Sequence, residues 1–532
     1  YALTGLPLDL YPFFQDAYNW GSRIHSNSWG DYTKLGDYTD ESRAVDQFVW
    51  DNPDMLILFS AGNSGVDANG DGYVDGRSIE PPGTAKNALT VGASDNVRSS
   101  GGYNPGSSFC YTWGTCWSDD FGDDPTAIDR ISDDAGELAA FSSRGQTDDL
   151  LRKPDIVAPG TNILSTRSQV ATGTGWGTYP DTDYLYMGGT SMATPLVAGA
   201  AALVRQYYVD EFTHAPSAAL LKATLINSAV DIPGYGDANE EAGLPIPNNH
   251  EGWGRVDVGA ATSGGREFVD GVSVGHGQFS EYTYDVSSSD TPFKVTLVWS
   301  DYPASAPSGG LVNDLDLVVT APGGTIYYGN NFSTSSGWSV PGGTADSVNN
   351  VESVYIQNPA VGQWTVRVTG YNVPAPGGQQ PFALVARLPS LPPVAAFSAA
   401  PTSGEAPLQV SFTDESTGDI TGWEWNFGDT ESSLESNLTH TYSDVGDSTV
   451  SLTVTGPGGS DTETKTNYIH VTDPPSLMVI PVTGAPASYF AFTGQNLTPL
   501  SDATISVNGT DLGQTVPADA AGEVAFNLDS AN

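Results

Sequence analysis

The stretch "YLYMGGTSMATPLVAGAAALVRQYY", residues 184–208, decides the fold. Gly188 and Gly189 supply a sharp turn, and Thr190 and Ser191 are types favoured where helices begin. Pro195 then falls in the first turn or so, where a missing N–H does least harm. Ala193, Val197, Ala198, Gly199, Ala200, Ala201 and Ala202 are small or apolar on every face, the pattern of a helix buried all round. Ser191 then sits at the positive end of a buried helix, beside backbone N–H groups that lack an intrahelical acceptor. That setting suits an attacking oxygen whose product is an oxyanion. A serine that only caps the helix fits the same letters.

A second stretch, "LFSAGNSG" at 58–65, weighs against simple capping. Leu56, Ile57, Leu58 and Phe59 read as the end of a buried strand. Ala61 and Gly62 open a turn that presents Asn63, whose amide is suited to donate to an oxyanion together with the N–H of Ser191. A turn asparagine bonded to its own backbone is the plainer reading of Asn63.

These two segments resemble the serine and oxyanion motifs of the subtilisin-like serine proteases. "NSWG" at 27–30, "PPGTAKNALTVGAS" at 81–94, "FSSRG" at 141–145 and "KPDIVAPG" at 153–160 follow the order that family uses. The resemblance covers about residues 1–262. It is closest to the oxidatively stable alkaline bacterial proteases, whose catalytic domain is followed by a β-barrel; "LVNDLDLVVTAPGG" and "NNVESVYIQNP" are similar to segments of that barrel. The resemblance implies Ser191 as nucleophile and Asn63 as oxyanion donor. It also implies two backbone edges, Ser28, Trp29 and Gly30 on one side and Ser60, Ala61 and Gly62 on the other, that hold an extended polypeptide as an added strand. Hydrolysis would run through an acyl-enzyme.

One departure matters. The family's Asp and His precede the oxyanion Asn, in segments like D-T-G and H-G-T-x-x-A-G, and neither occurs here. None of the six histidines lies in such a context; His25, in "SRIHSNSWG", reads as an ordinary strand residue. The expectation is an N-terminally truncated chain whose general base and its Asp lie upstream, inactive by itself, with a C-terminal truncation as well. The competing reading is a non-catalytic extracellular adhesion protein with an inactive protease-like domain.

Composition fits an extracellular protein. The chain has 532 residues, with 63 Asp plus Glu against 19 Lys plus Arg, a net charge of −44. Such acidity excludes nucleic acid and anionic membranes as partners and leaves polypeptides, with a monomer expected. No apolar run is long enough to span a membrane. Cys110 and Cys116, in "CYTWGTC", read as a local disulfide.

"DANGDGYVDG" at 67–76 is the sharpest metal signal. Asp67, Asn69, Asp71 and Asp75 take positions 1, 3, 5 and 9 of an EF-hand-type loop, Gly72 the turn, and Tyr73 would offer its carbonyl to Ca2+. Position 12 is Ser78 where the pattern wants Glu, so a shortened loop binding structural calcium is expected. The acidic run at 118–137 has no regular ligand spacing and reads as a solvated loop. Asp301, Asn313, Asp314, Asp316 and Glu352 are either a further calcium site or plain loop polarity.

The fold class expected is α/β, a parallel sheet covered by helices on both faces, followed by all-β sandwich or jelly-roll modules. The helical spacing of 217–230 predicts an amphipathic helix with Leu220, Leu221, Leu225 and Ile226 inside. Past 262 short alternating strands begin. The boundaries read as 1–262 catalytic, 263–390 β-sandwich, 391–474 and 475–532. The third module, with "WEWNFGDTESSLESNLTHTYSDVGDSTVSLTV", resembles a PKD domain, which implies a spacer or a module binding insoluble protein or polysaccharide. In it Trp423, Trp425 and Phe427 are expected to face a core.

Overall fold

The structure is a computed structural model that describes residues 9–104, 106, 110–232, 244–389, 391–456, 458–480, 489–495, 502–507 and 510–529. These form two compact units, Tyr1–Leu391 and Pro392–Asn532. The first begins with α1 (Leu10–Asn19), β1 (Ile24–Asn27), α2 (Asp40–Asp51), β2 (Leu56–Ser60) and β3 (Leu89–Ser94). After α3 (Trp113–Cys116) come β4 (Ile156–Pro159), β5 (Ile163–Thr166), β6 (Gly177–Thr178) and β7 (Tyr184–Met187). Then follow α4 (Thr190–Phe212), α5 (Ala218–Ser228) and α6 (Val258–Thr262).

Strands β1 to β4 lie in sequence order in one parallel sheet. Every residue of β2 and β3 is buried, so the sheet is covered on both faces, as continuous apolar strands of this kind require. Helix α4 packs along all four strands, and α2 and α5 both reach β2.

Two helices depart from expectation in opposite senses. α4 is buried along Thr190, Ala193, Thr194, Val197, Ala200, Ala201, Val204 and Tyr208, while Leu196, Leu203 and Val209 are exposed. α5 is buried on every face, at all eleven residues. The cause is the β-rich segment that follows. Strands β8 (Arg266–Gly275), β9 (Phe279–Val286), β10 (Phe293–Val298), β11 (Asp314–Thr320), β12 (Ile326–Tyr328), β13 (Val351–Ile356), β14 (Gly362–Asn372) and β15 (Gln379–Arg387) form two antiparallel four-stranded sheets. Their orders are β13-β10-β15-β8 and β12-β11-β14-β9, around a shared core that includes Trp299, Trp364 and Phe382. The outer face of the first sheet lies on α5 through β10 and β15.

The join is polar as well as apolar. Lys86, in the loop before β3, reaches Asp301 at 2.5 Å with both side chains fully buried, and also donates to the carbonyls of Tyr302 and Gly310. Asn87 and Asp301 exchange side-chain and backbone hydrogen bonds at 2.8 Å each. A buried pair of this kind is strongly destabilising to break from one side, by about 3–5 kcal/mol. The sheets after residue 262 therefore belong to the same compact unit as the helices before it. The Asp301 carboxylate also accepts from the N–H groups of Val312 and Asn313.

The second unit opens with β16 (Phe397–Ala400), β17 (Ser403–Glu405), β18 (Leu408–Asp414), β19 (Gly422–Asn426), β20 (Ser432–Ser433), β21 (Leu438–Tyr442), β22 (Gly446–Gly456) and β23 (Gly459–Thr472). They make two sheets, β16-β18-β21 and β17-β23-β22-β19-β20. Trp425 and Phe427 are buried between them with Phe412 and Tyr442, whereas Trp423 is half-buried and donates through its indole to Asp414. Strands β24 (Ser476–Ile480), β25 (Tyr489–Gln495), β26 (Asp502–Val507), β27 (Thr510–Pro517) and β28 (Val524–Asp529) complete it. No described helix is long and apolar enough to cross a membrane.

Candidate active site

β1 and β2 pair in parallel, Asn27 opposite Phe59, so the segments after them leave the sheet side by side. Here ligands gather in an open α/β sheet, at the carboxyl ends of the strands. Ser28 meets the start of α4 directly. Its Oγ donates to the Ser191 carbonyl at 2.9 Å, and Ser191 Oγ donates to the Ser28 carbonyl at 3.4 Å. Ser191 is thus held beside the end of β1, half-buried.

Asn63, from the turn after β2, completes the arrangement. Its Oδ1 accepts from the Thr190 N–H at 2.9 Å and from Thr190 Oγ1 at 3.0 Å. Two donors on one side put the amide oxygen there and turn Nδ2 outward, where it has no protein acceptor among the described residues. The Met192 N–H goes to the Gly189 carbonyl. The Ser191 N–H has no acceptor among the described residues, as expected in a helix's first turn. Gly189 has φ of +141°. The point that a β-carbon on it would occupy lies 3.5 Å from both Nδ2 and Oδ1 of Asn63 and 3.6 Å from Ser191 N. Two free donors therefore border one small space at the start of α4, a place where a carbonyl oxygen that becomes negative would meet both.

The two expected backbone edges are unequal. The N–H and C=O of Gly30 have no internal partner among the described residues and are open to a strand. On the other side the Ala61 N–H bonds Val91, its carbonyl takes Glu80 N–H, and the Gly62 carbonyl takes Ser143 N–H. Ser60, Ala61 and Gly62 therefore line the floor instead of offering a second edge, because the neighbouring strand and loops have already used their polar groups. Trp29 stacks edge-on against Phe59, 5.1 Å between ring centroids.

Glu80 fills the gap between the two segments. A β-carbon on Gly30 would lie 2.8 Å from Glu80 Oε2, and one on Gly62 only 2.4 Å from Glu80 Cγ. Its Oε1 accepts from the Asn63 N–H at 3.0 Å and from Ser64 Oγ at 2.7 Å. On the other side of Asn63 is a pocket of about 210 Å³ lined by Gly188, Gly189, Phe141, Trp117 and Trp176. The sequence points to neither as part of this site: Glu80 reads only as an acid two residues late for position 12 of the loop that starts at Asp67, and the two tryptophans are 59 positions apart.

No histidine among the described residues bonds Ser191. His25 packs edge-on against Phe13 and Phe14, and burial lowers its pKa. Cys110 and Cys116 are joined by a disulfide, with Cα atoms 5.1 Å apart. In the 67–75 loop, Asp67 accepts from the N–H groups of Gly70, Asp71 and Gly72. Asn69 accepts from Asp71, Asp71 from Tyr73, and Asp75 from Ala68 and from the Asn69 amide. These bonds wind the loop on itself, and its carboxylates do not form a trio within 4.8 Å among the described residues.

A sequence model of the subtilase family matches residues 13–254, and one of the PKD domain matches 390–471. The Serine protease/ABC transporter B family protein tagD of Dictyostelium discoideum is 29% identical over 71% of this chain and 26% of its own length. Serine protease AprX of Bacillus subtilis (strain 168) is 34% identical over 32% of this chain and 29% of its own. The solved structure of the prenylagaramide maturation protease PagA is 23% identical, covering 49% of this chain and 69% of that one, with a TM-score of 0.31. The chain spans about a quarter of the length of the first curated relatives it matches. Residues 13–254 are thus a subtilase-family domain, and residues 390–471 a PKD domain.

Proposed function

We propose that the protein is a secreted serine endopeptidase that cleaves extracellular polypeptides through an acyl-enzyme on Ser191. The observation that carries this reading is the space above Gly189, bordered by Asn63 Nδ2 and the Ser191 N–H. A substrate strand lies along Gly30 and brings its scissile carbonyl to Ser191. Oγ attacks the carbonyl carbon, and the oxygen gains its charge between the two donors. The Oγ proton passes to a base outside the described residues, a histidine in this proposal. The leaving side of the peptide runs past Trp117 and Trp176.

Glu80 adds a preference. Its Oε1 is anchored by Asn63 itself, so the carboxylate stands one residue from the reacting carbonyl. Oε2 has no hydrogen bond among the described residues and faces the strand at Gly30. A Lys or Arg on the acyl side of the cleaved bond matches that charge. The net charge of −44 favours basic substrates in the same sense. A fluorophosphonate probe applied to the full-length protein tests the reading. Labelling that disappears in Ser191→Ala supports it; absence of labelling in the wild type, or labelling that survives the substitution, rejects it.

A further inference from the structure

At the end of β3 the structure assembles a group of carboxylates drawn from distant parts of the chain. Asp95 follows the last residue of β3 and is 1% exposed. The loop before residue 138 is pinned beside it: the Asp95 N–H donates to the Glu137 carbonyl at 2.8 Å, and Ser94 bridges Leu138. One oxygen each of Asp95, Asp133 and Glu137 lies within 4.8 Å of the others. Asp95 Oδ2 accepts the Ser132 N–H at 2.7 Å, but its Oδ1 is buried without a partner among the described residues. A buried carboxylate oxygen left bare is costly, and one surrounded by further carboxylates is more so. A cation between these oxygens removes both penalties.

We infer that Asp95, Asp133 and Glu137 hold a calcium ion. The donor set is all oxygen, which selects a hard cation over zinc or copper. Oxygens that share one Ca2+ at about 2.4 Å lie no more than ~4.8 Å apart, the limit this trio meets. Water fills the remaining positions on the exposed Asp133 side. The ion clamps the 129–138 loop to the end of β3, and a short relay leads from there to the nucleophile. The Ser94 carbonyl accepts the Gly160 N–H at 2.8 Å, and the Gly160 carbonyl accepts the Gly189 N–H at 2.8 Å. Gly189 caps α4, so the ion braces the turn that positions Ser191.

The test is calcium stoichiometry by equilibrium dialysis on the full chain, stripped with EGTA. Asp95→Asn and Asp133→Asn are each expected to bind one ion fewer than the wild type, and Asp71→Asn in the 67–75 loop to leave this site filled. Saturating Ca2+ raises the wild-type Tm by on the order of 3 °C, and Asp133→Asn reduces that rise. If Asp95→Asn does not fold, the exposed Asp133→Asn decides alone. Unchanged stoichiometry in every folded variant, no calcium bound by the wild type, or equal occupancy by Mg2+ overturns the inference.

Discussion

At the carboxyl end of β2, Asn63 and the start of α4 gather donors that have no acceptor among the described residues; one strand over, at the end of β3, Asp95 keeps a buried acceptor that has no donor among them. The first end is open to solvent and suits a transient negative charge. The second is closed over a buried oxygen and suits a resident positive one. The same sheet edge thus supplies two opposite electrostatic sites. What distinguishes them is which backbone groups each loop has already used. Thr190 satisfies the oxygen of Asn63 and frees its nitrogen, while Ser132 satisfies only one oxygen of Asp95.

The largest expected effect is at the first end. In the active protein, Ser191→Ala should lower hydrolysis by about 10⁶-fold and abolish probe labelling, while calcium stoichiometry stays as in the wild type. Asn63→Ala should lower kcat by about 10²–10³-fold with KM nearly unchanged, the size known for the equivalent donor in a subtilisin. If Asn63→Ala changed calcium-dependent stability as much as Asp133→Asn does, the two ends would not be separate sites. Glu80→Gln keeps an oxygen for the Asn63 and Ser64 donors but removes the charge. It should weaken binding of peptides with Lys or Arg before the cleaved bond by about tenfold and leave Leu peptides alone, read by fluorescence polarisation. Equal loss for both peptide types would reduce Glu80 to a brace for the Asn63 turn. The smallest effect is on stability: EGTA should lower Tm by a few degrees in the wild type and by less in Asp133→Asn.

Much of the first end was legible in the sequence. Ser191 and Asn63 announce themselves because each sits in a short run whose turn glycines, strand and helix are neighbours along the chain. The parallel sheet was legible for the same reason, from unbroken apolar strands. The burial of the two helices was not. α4 looked buried all round because it is rich in alanine, yet Leu196 and Leu203 face solvent. α5 looked one-sided because its Lys222 and Asn227 are polar, yet Lys222 is buried against Asp155 and Asn227 donates to Thr296 of β10. Composition reports what a helix can tolerate, and only packing says what covers it. The acidic segments divide in the same way. The 67–76 stretch shows its alternating acidic pattern in ten consecutive residues. Asp95 stands 38 positions before Asp133, and no spacing rule links them.

The sequence by itself determined the subtilase-type motifs, the strand and helix that carry them, and the change to β-structure after residue 262, because each depends on residues close together in the chain. Only the tertiary structure decided that Gly30 offers the open edge while Ser60 to Gly62 form a floor, that Glu80 stands between them, and that Asp95 meets Asp133 and Glu137. Those outcomes depend on which polar groups find partners from distant segments, and hydrogen bonding is settled by proximity in space.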